Sequence, residues 1–334
     1  MNINSIISGK QYKVLVRCNT FNQSQFIETA LNGFAMQITD FPFVCIVMDD
    51  CSTDGEIDVL KKYIQEECKQ ESAECCEDEN VFVELLPHKS NANCTFAFYF
   101  LKRNLYKQKE IKELYVKPWQ DICTYEAFCE GDDYWIDPKK LQKQTTYLEK
   151  NLDFFLVGSN GVIRYTEPTS GLRFFNSCQT TREVPFQELV EKWFFPTASL
   201  MYRTKLWEVY PKWSKELHFA DDVIVMTSAI HGRVACLGEL TCVYRKGVGI
   251  TKKLDKQYIY MCEQHLLFYN HLLEDTGRKY EECLKRKIHL LEKDLKYYQT
   301  KEKSSLLVVL LYPRKSVKSV LVKMYLSIRK ICRK

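Results

Sequence analysis

Three carboxylates fall within four residues in CEGDDYWIDPKKLQKQ, residues 129–144: Glu130, Asp132 and Asp133. They follow the apolar run YEAFC and precede two aromatics, Tyr134 and Trp135. Adjacent carboxylates at a strand end repel, and left alone one of them holds a proton. A divalent cation removes the conflict. Mg²⁺ or Mn²⁺ takes oxygen ligands and keeps positions open for phosphate oxygens. Bridging a diphosphate, such an ion stabilises the charge that develops on a leaving nucleotide. A second pair, Asp49 and Asp50, closes the apolar run FVCIVMDD. Asp50 is placed to accept a hydrogen bond from a base N–H, so the pattern fits a nucleotide-diphosphate donor. An isolated Asp-Asp is more often a turn or a helix cap. Two pairs on two strand ends turn that balance. Tyr134 and Trp135 either floor a sugar site or pack in the core.

The elements that position these groups alternate. YKVLVRC (12–18), FVCIVMDD (43–50), VFVELL (81–86) and YEAFCEGDD (125–133) are short apolar runs and predict strands. Helical spacing follows the first, with Phe26, Ile27, Ala30, Leu31 and Phe34 on one face, and residues 56–67 have helical composition. NANCTFAFYFLKRNLY (91–106) is predicted as a further helix, and Asp137-Pro138 as the start of another. Residues 154–165 predict a strand, 194–210 a strand or loop leading into a helix, 221–232 a helix, 234–245 a strand, and 255–300 helix. Alternating strands and helices imply an α/β fold with a mostly parallel sheet, whose strands are apolar because both faces are buried. Ligands collect at the carboxyl ends of such strands. Asn19 and Asn22, then Asp49 and Asp50, then Asp132 and Asp133 all fall there.

Composition narrows the class. A 334-residue chain with 46% hydrophobic and 27% charged residues suits a globular protein of one or two domains. Net charge is +5, yet residues 301–334 hold ten Lys or Arg and one acid, Glu302, so the body is mildly acidic. That distribution argues against nucleic-acid binding by the whole protein. The fifteen cysteines mostly lie in apolar runs and read as small buried hydrophobes in a reducing compartment. ECKQESAECCEDEN lacks zinc-ligand spacing and reads as an exposed acidic loop. No histidines pair at ligand spacing. The first residues show no signal-peptide core, and no apolar run nears the ~20 residues of a membrane span.

VLVRCNTFNQSQFIETAL, IVMDDCSTDGE and EAFCEGDDYWIDPKKLQKQTTYLE resemble the successive motifs of family 2 inverting glycosyltransferases with the GT-A fold. The last block resembles a bacterial subgroup with an EGDDYW-DP-KLQKQ motif. The resemblance spans roughly residues 12–250. It implies a GT-A catalytic domain over 1–250 and a helical C-terminal region over 251–334. It also implies transfer of a sugar from a nucleotide diphosphate, with UDP-sugar expected, to a glycan or lipid-linked acceptor in surface polysaccharide synthesis. By the same resemblance Asn19, Thr20 and Phe21 hold the nucleoside and Asp50 the base. Asp132 lies near ribose and metal, Asp133 ligates Mn²⁺ or Mg²⁺, and Arg245 or Lys246 meets the diphosphate. ADDVIVMTSAIHG matches the layout around the family's catalytic base, with Asp221 eleven residues before Gly232 and Asp222 as the fallback. Three positions depart from the family pattern: the first motif is Asn-Thr-Phe-Asn, Ala220 stands where Glu or Gly is usual, and Gly247 replaces a histidine.

In the basic tail, residues 314–334, apolar and basic residues separate into two helical faces, the pattern of a helix lying on an anionic membrane surface or packed on the enzyme. With the cysteines, this gives the expectation of a cytoplasmic protein, peripheral on the inner face of the plasma membrane. Two rival functions remain. A sugar nucleotidyltransferase needs a Gly-rich basic loop after the first strand, which CNTFNQSQ lacks. A degenerate, non-catalytic binding or tethering protein is the other.

Overall fold

A computed structural model describes residues 3–106, 108–165, 172–249 and 257–311. The chain forms two compact units, Met1–Asp255 and Lys256–Lys334. The first is built on one twelve-stranded mixed sheet. Its strands are β1 Val14–Thr20, β2 Phe43–Asp49, β3 Glu74–Glu77, β4 Val81–Pro87, β5 Cys94–Leu101, β6 Tyr125–Phe128, β7 Tyr134–Trp135, β8 Phe154–Tyr165, β9 Leu172–Phe174, β10 Arg182–Glu183, β11 Met201–Arg203 and β12 Arg233–Lys246. Its helices are α1 Ile3–Ile7, α2 Ile27–Ala35, α3 Glu56–Glu67, α4 Lys109–Ile122, α5 Lys140–Lys150, α6 Phe186–Glu191, α7 Leu206–Val209 and α8 Asp221–His231.

The strand order is β10-β12-β8-β11-β6-β1-β2-β5-β4-β3. The central strands β6, β1, β2 and β5 run parallel, so their carboxyl ends share one edge. Their apolar sequences follow from burial on both faces. One face carries Val14, Val16, Cys45 and Val47 and is covered by α2, α3 and α5. The other carries Leu15, Val44, Ile46 and Met48 and is covered by α1 and α4.

The structure corrects the expected helix over 91–106, which is β5. Phe96 and Phe98 lie on one face of that strand, Ala97 and Tyr99 on the other, and all four are buried. Period-two aromatics pack well on both faces in the middle of a sheet. The segment left unassigned after 106 supplies a fourteen-residue helix, α4. The acidic stretch at 68–80 is not wholly loop, since Glu74–Glu77 form the edge strand β3 against β4. The fourth strand ends at Phe128, so residues 129–133 form a turn rather than a strand end.

The second unit is a helical hairpin. α9 Tyr258–Thr276 and α10 Glu281–Leu311 are joined by a 3₁₀ turn, Gly277–Tyr280. Tyr258 stacks on Tyr298 at 4.7 Å across the pair. Among the described residues no helix is long and apolar enough to cross a membrane. The amphipathic tail, 314–334, lies outside the described residues.

Candidate active site

The loops after β1 and β2 are tied to each other. Glu56, the first residue of α3, has no exposed surface. Its carboxylate accepts hydrogen bonds from the Thr20 hydroxyl, the Gln23 N–H at 2.8 Å and the Ser52 hydroxyl at 2.9 Å. The Asn22 N–H donates to Ser52 Oγ at 2.8 Å, and Asn22 Oδ1 accepts the Thr53 N–H at 2.8 Å. Asn22 (φ 54°) and Cys51 (φ 63°) hold left-handed backbone, which the surrounding bonds enforce. Asn19 keeps a buried Oδ1 without a hydrogen bond, and Phe21 is an exposed aromatic on the rim.

Asp50 is 3% exposed and its carboxylate is engaged from within. Oδ1 accepts the Leu105 N–H at 2.6 Å, and Oδ2 lies 2.8 Å from Lys112 Nζ of α4. Two lone-pair directions remain for a base N–H. Lys112 therefore belongs to the same corner, a residue that the reading of the sequence missed because it left α4 unassigned.

The turn 129–133 packs directly on the β1 loop. A Cβ on Gly131 would meet Thr20 Oγ1 at 2.6 Å and Ile27 Cδ1 at 2.9 Å, so only glycine allows this approach. The Gly131 N–H donates to the Asn19 carbonyl at 3.2 Å. Next, β7 pairs with β12, matching Tyr134 with Val243 and Trp135 with Cys242. That register sets Asp133 beside Arg245, whose backbone N–H donates to Asp133 Oδ1 at 2.8 Å. The Arg245 guanidinium is buried between the Phe26 and Tyr134 rings, 4.9 and 4.4 Å from their centres, and donates to the Asp132 carbonyl at 2.6 Å. Lys246 is exposed, with Nζ 6.0 Å from the Tyr165 ring centre.

Negative charge accumulates here. Loss of water pushes the Asp132 carboxyl up, against the pull of Arg245. Burial drives Asp133 well above the usual range, and Asp132 and Glu130 push it further. Glu130 also moves up, through loss of water first and then Asp132 and Asp221, while Lys112 pulls it down. The Glu130 side chain opens to solvent, which softens these effects. The start of α8 is linked to this segment through the 197–199 turn, whose Ala198 carbonyl accepts from Trp135 and whose Thr197 donates to Asp221, though 89 positions separate Asp132 from Asp221.

Asp221 and Asp222 occupy the first turn of α8, half-buried. Loss of water and then Asp222 push the Asp221 carboxyl up to about 6, while the Thr197 hydroxyl, donating to Oδ2 at 3.0 Å, opposes the rise. Thr197 lies in FFPTASL, where nothing in the sequence pattern singles it out. Trp135 is a core residue, 2% exposed, edge-on to Phe34 at 4.9 Å and under Lys140 Nζ at 4.3 Å. Of the two readings left open for it, packing is the one its position bears out. Tyr134 is half-buried beneath Arg245. Trp193 is 45% exposed and meets Phe175 and Tyr244 edge-on, whereas Trp207 donates Nε1–H to buried Glu126 at 2.7 Å.

Among the described residues no three His, Cys, Asp or Glu side chains come together as a cage for a metal ion. A complete cage is not what Mg²⁺ or Mn²⁺ needs, since one or two carboxylates and substrate phosphates suffice. Asp132 and Asp133 supply hard oxygen donors; burial raises both and Asp132 pushes Asp133 further, a charge conflict that a divalent ion would relieve. The residues fit such an ion.

No family model matches the chain. It is 26% identical over 227 residues to uncharacterized proteins of Mycobacterium tuberculosis and Mycobacterium bovis, covering 68% of this chain and 57% of theirs. The chain thus spans less than two thirds of the length of these curated relatives. Its fold is that of GT-A-type glycosyltransferases. The structure of S. aureus TarS 1-349 in complex with UDP superposes with a TM-score of 0.55 at 18% identity, covering 88% of this chain and 75% of that one. The mannosyltransferase PcManGT from Pyrobaculum calidifontis, in complex with GDP-Man and Mn²⁺, superposes with a TM-score of 0.53 at 13% identity, covering 95% and 80%.

Proposed function

We propose that residues 1–250 form a metal-dependent inverting glycosyltransferase domain that moves a sugar from a nucleotide diphosphate, expected to be a UDP-sugar, to a glycan or lipid-linked acceptor. The carrying observation is that Asp132 and Asp133 sit in a turn packed on the β1 loop, and that the start of α8 is tied to the same segment through the 197–199 turn, where Thr197 donates to Asp221 and Trp135 donates to the Ala198 carbonyl. The UDP of TarS and the GDP-Man and Mn²⁺ of PcManGT, held on the same fold, support the donor class and the ion.

Each part of the edge then has a task. Phe21, exposed on the rim, offers a face for the base, and Asn19 an unused acceptor for the nucleoside. Asp50 keeps lone pairs for a base N–H. Asp132 and Asp133 would hold Mn²⁺ or Mg²⁺, which when bound neutralises diphosphate charge. Arg245 fixes the backbone of Asp132 and the carboxylate of Asp133, and Lys246, on the exposed side, would meet the diphosphate. Asp221, ionised above about pH 6, takes the proton from the acceptor hydroxyl. The freed oxygen bonds to the anomeric carbon as the nucleotide diphosphate leaves from the opposite face, and configuration inverts. The proton stays on Asp221. A role in surface polysaccharide synthesis, a cytoplasmic location and contact of residues 314–334 with an anionic membrane complete the proposal.

The test is nucleotide release from UDP-, GDP- and dTDP-sugars, with and without Mn²⁺. Asp132→Asn is a cleaner variant than Asp133→Asn, because Asp133 also holds a backbone N–H. We expect metal-dependent release from one donor, reduced about 10³-fold in the variant. Donor binding with no release by wild type, even with candidate acceptors, would favour the non-catalytic reading. Full activity of Asp132→Asn would remove the metal role.

A further inference from the structure

The half-buried hydroxyl of Thr197 touches Asp221 from a 3₁₀ turn, Thr197–Ser199, that neither the donor motif nor α8 contains. The next two carbonyls of that turn are held by side chains from the segment that follows Asp132 and Asp133. Trp135 Nε1–H donates to the Ala198 carbonyl at 2.8 Å. Gln144 Nε2–H donates to the Ser199 carbonyl at 2.7 Å, and Gln144 Oε1 accepts from buried Lys140 at 2.7 Å. Just before the turn, the Phe195 ring fills the space that a Cβ on Gly158 would occupy. The turn is therefore held by two side-chain donors and a packed ring, and Thr197 projects from a fixed base.

We propose that Thr197 is a positioning residue for the transfer: its hydroxyl orients the Asp221 carboxylate, and Trp135 and Gln144 fix the turn that carries it, locking the base to the metal-site segment. The proposal rests on Asp221 as the base. A carboxylate at a helix start has rotamer freedom, and a charge-assisted hydrogen bond from a rigid donor removes it. The same bond favours the ionised form and opposes the upward push of desolvation and Asp222. Glu130 on the 129–133 turn and Tyr210 after α7 also sense Asp221. Both remain in a Thr197 variant.

Three variants separate the possibilities: Thr197→Val, Thr197→Ser and Asp221→Asn, each assayed for Mn²⁺-dependent nucleotide release across pH 5–9 with the sugar donor that wild type uses. Thr197→Val should lower kcat about tenfold, leave the donor KM unchanged and move the acidic limb of the pH profile upward from about 6. Thr197→Ser, which restores the donor, should return both kcat and the limb. A Val variant with wild-type kcat and limb overturns the inference. So does a loss in Val that Ser does not rescue, or one without movement of the limb, because a merely structural hydroxyl behaves that way. Full activity of Asp221→Asn overturns the base reading itself and is recognised independently of Thr197.

Discussion

At the β1–β2 end of the sheet edge, Glu56 accepts three hydrogen bonds and Asp50 is matched by Lys112. At the β6–β7 end, Glu130, Asp132 and Asp133 crowd together, and Arg245 gives their segment one carbonyl contact and one backbone N–H. Burial raises carboxyls at both ends, but at the first the rise of Glu56 and Asp49 is opposed by side-chain hydrogen bonds from Thr20 and Ser52, whereas at the second only backbone N–H groups and the charge of Arg245 oppose the rise of Asp132 and Asp133. The first end is therefore finished by the protein itself and works as a rigid frame. The second is left electrostatically incomplete, which is how a chain reserves a place for a cation that arrives with its substrate.

The contrast breaks first at Lys112. Lys112→Met leaves Asp50 buried with a backbone N–H but no cation, a change that costs about 3 kcal/mol when a buried pair is split. Urea denaturation should show that loss, and Lys112→Met with Asp50→Asn should recover most of it. A single variant as stable as wild type would mean that the corner relaxes and is no frame.

Much of this edge could be read before folding. The strands β1, β2, β4, β8 and β12 are apolar runs, and in β1 and β2, parallel strands buried on both faces, the sequence has no other way to be written. The acids at their ends marked the edge. Asp221 was found through its place before Gly232, not through any spacing to Asp132. The failures share a cause. NANCTFAFYFLKRNLY, expected as a helix, is β5, and its burial in mid-sheet is a tertiary fact. With α4 unread, Lys112 went unseen. Glu56 read only as the start of a helix, since its three donors come from two loops whose meeting no local pattern predicts. Trp135 sits beside the acids in sequence, but the pleat of β7 turns it into the core.

Glu56 gives the next test. Glu56→Gln keeps the shape but replaces one carboxylate oxygen with an amide that donates, so at least one of three bonds is lost in a buried place. The expected cost is about 1–2 kcal/mol, with a raised donor KM and an unchanged acidic limb of the pH profile. A change in kcat alone would place Glu56 with the chemistry and blur the division between frame and reaction site.

The smallest effect is expected at Lys140, which sits behind the acidic end. Its ammonium is fully buried, bonded to Gln144 and over the Trp135 ring, and loss of water depresses it to about 8. Between that value and the ordinary ~10.4 the unfolded chain binds this proton more tightly than the folded one, so Lys140 makes stability rise with pH across that window. Lys140→Met removes the desolvation cost but strands Gln144 Oε1. The two nearly cancel, and stability at pH 7 should move by less than about 1 kcal/mol. What the variant must lose is the rise. Denaturation at pH 7.5 and 9.5 should show a smaller gain for Lys140→Met than for wild type, the comparison removing the cysteines and tyrosines that ionise in both. An equal gain would mean that Lys140 is already neutral or solvated, and that the positive charge behind the turn is not part of how the acidic end is held.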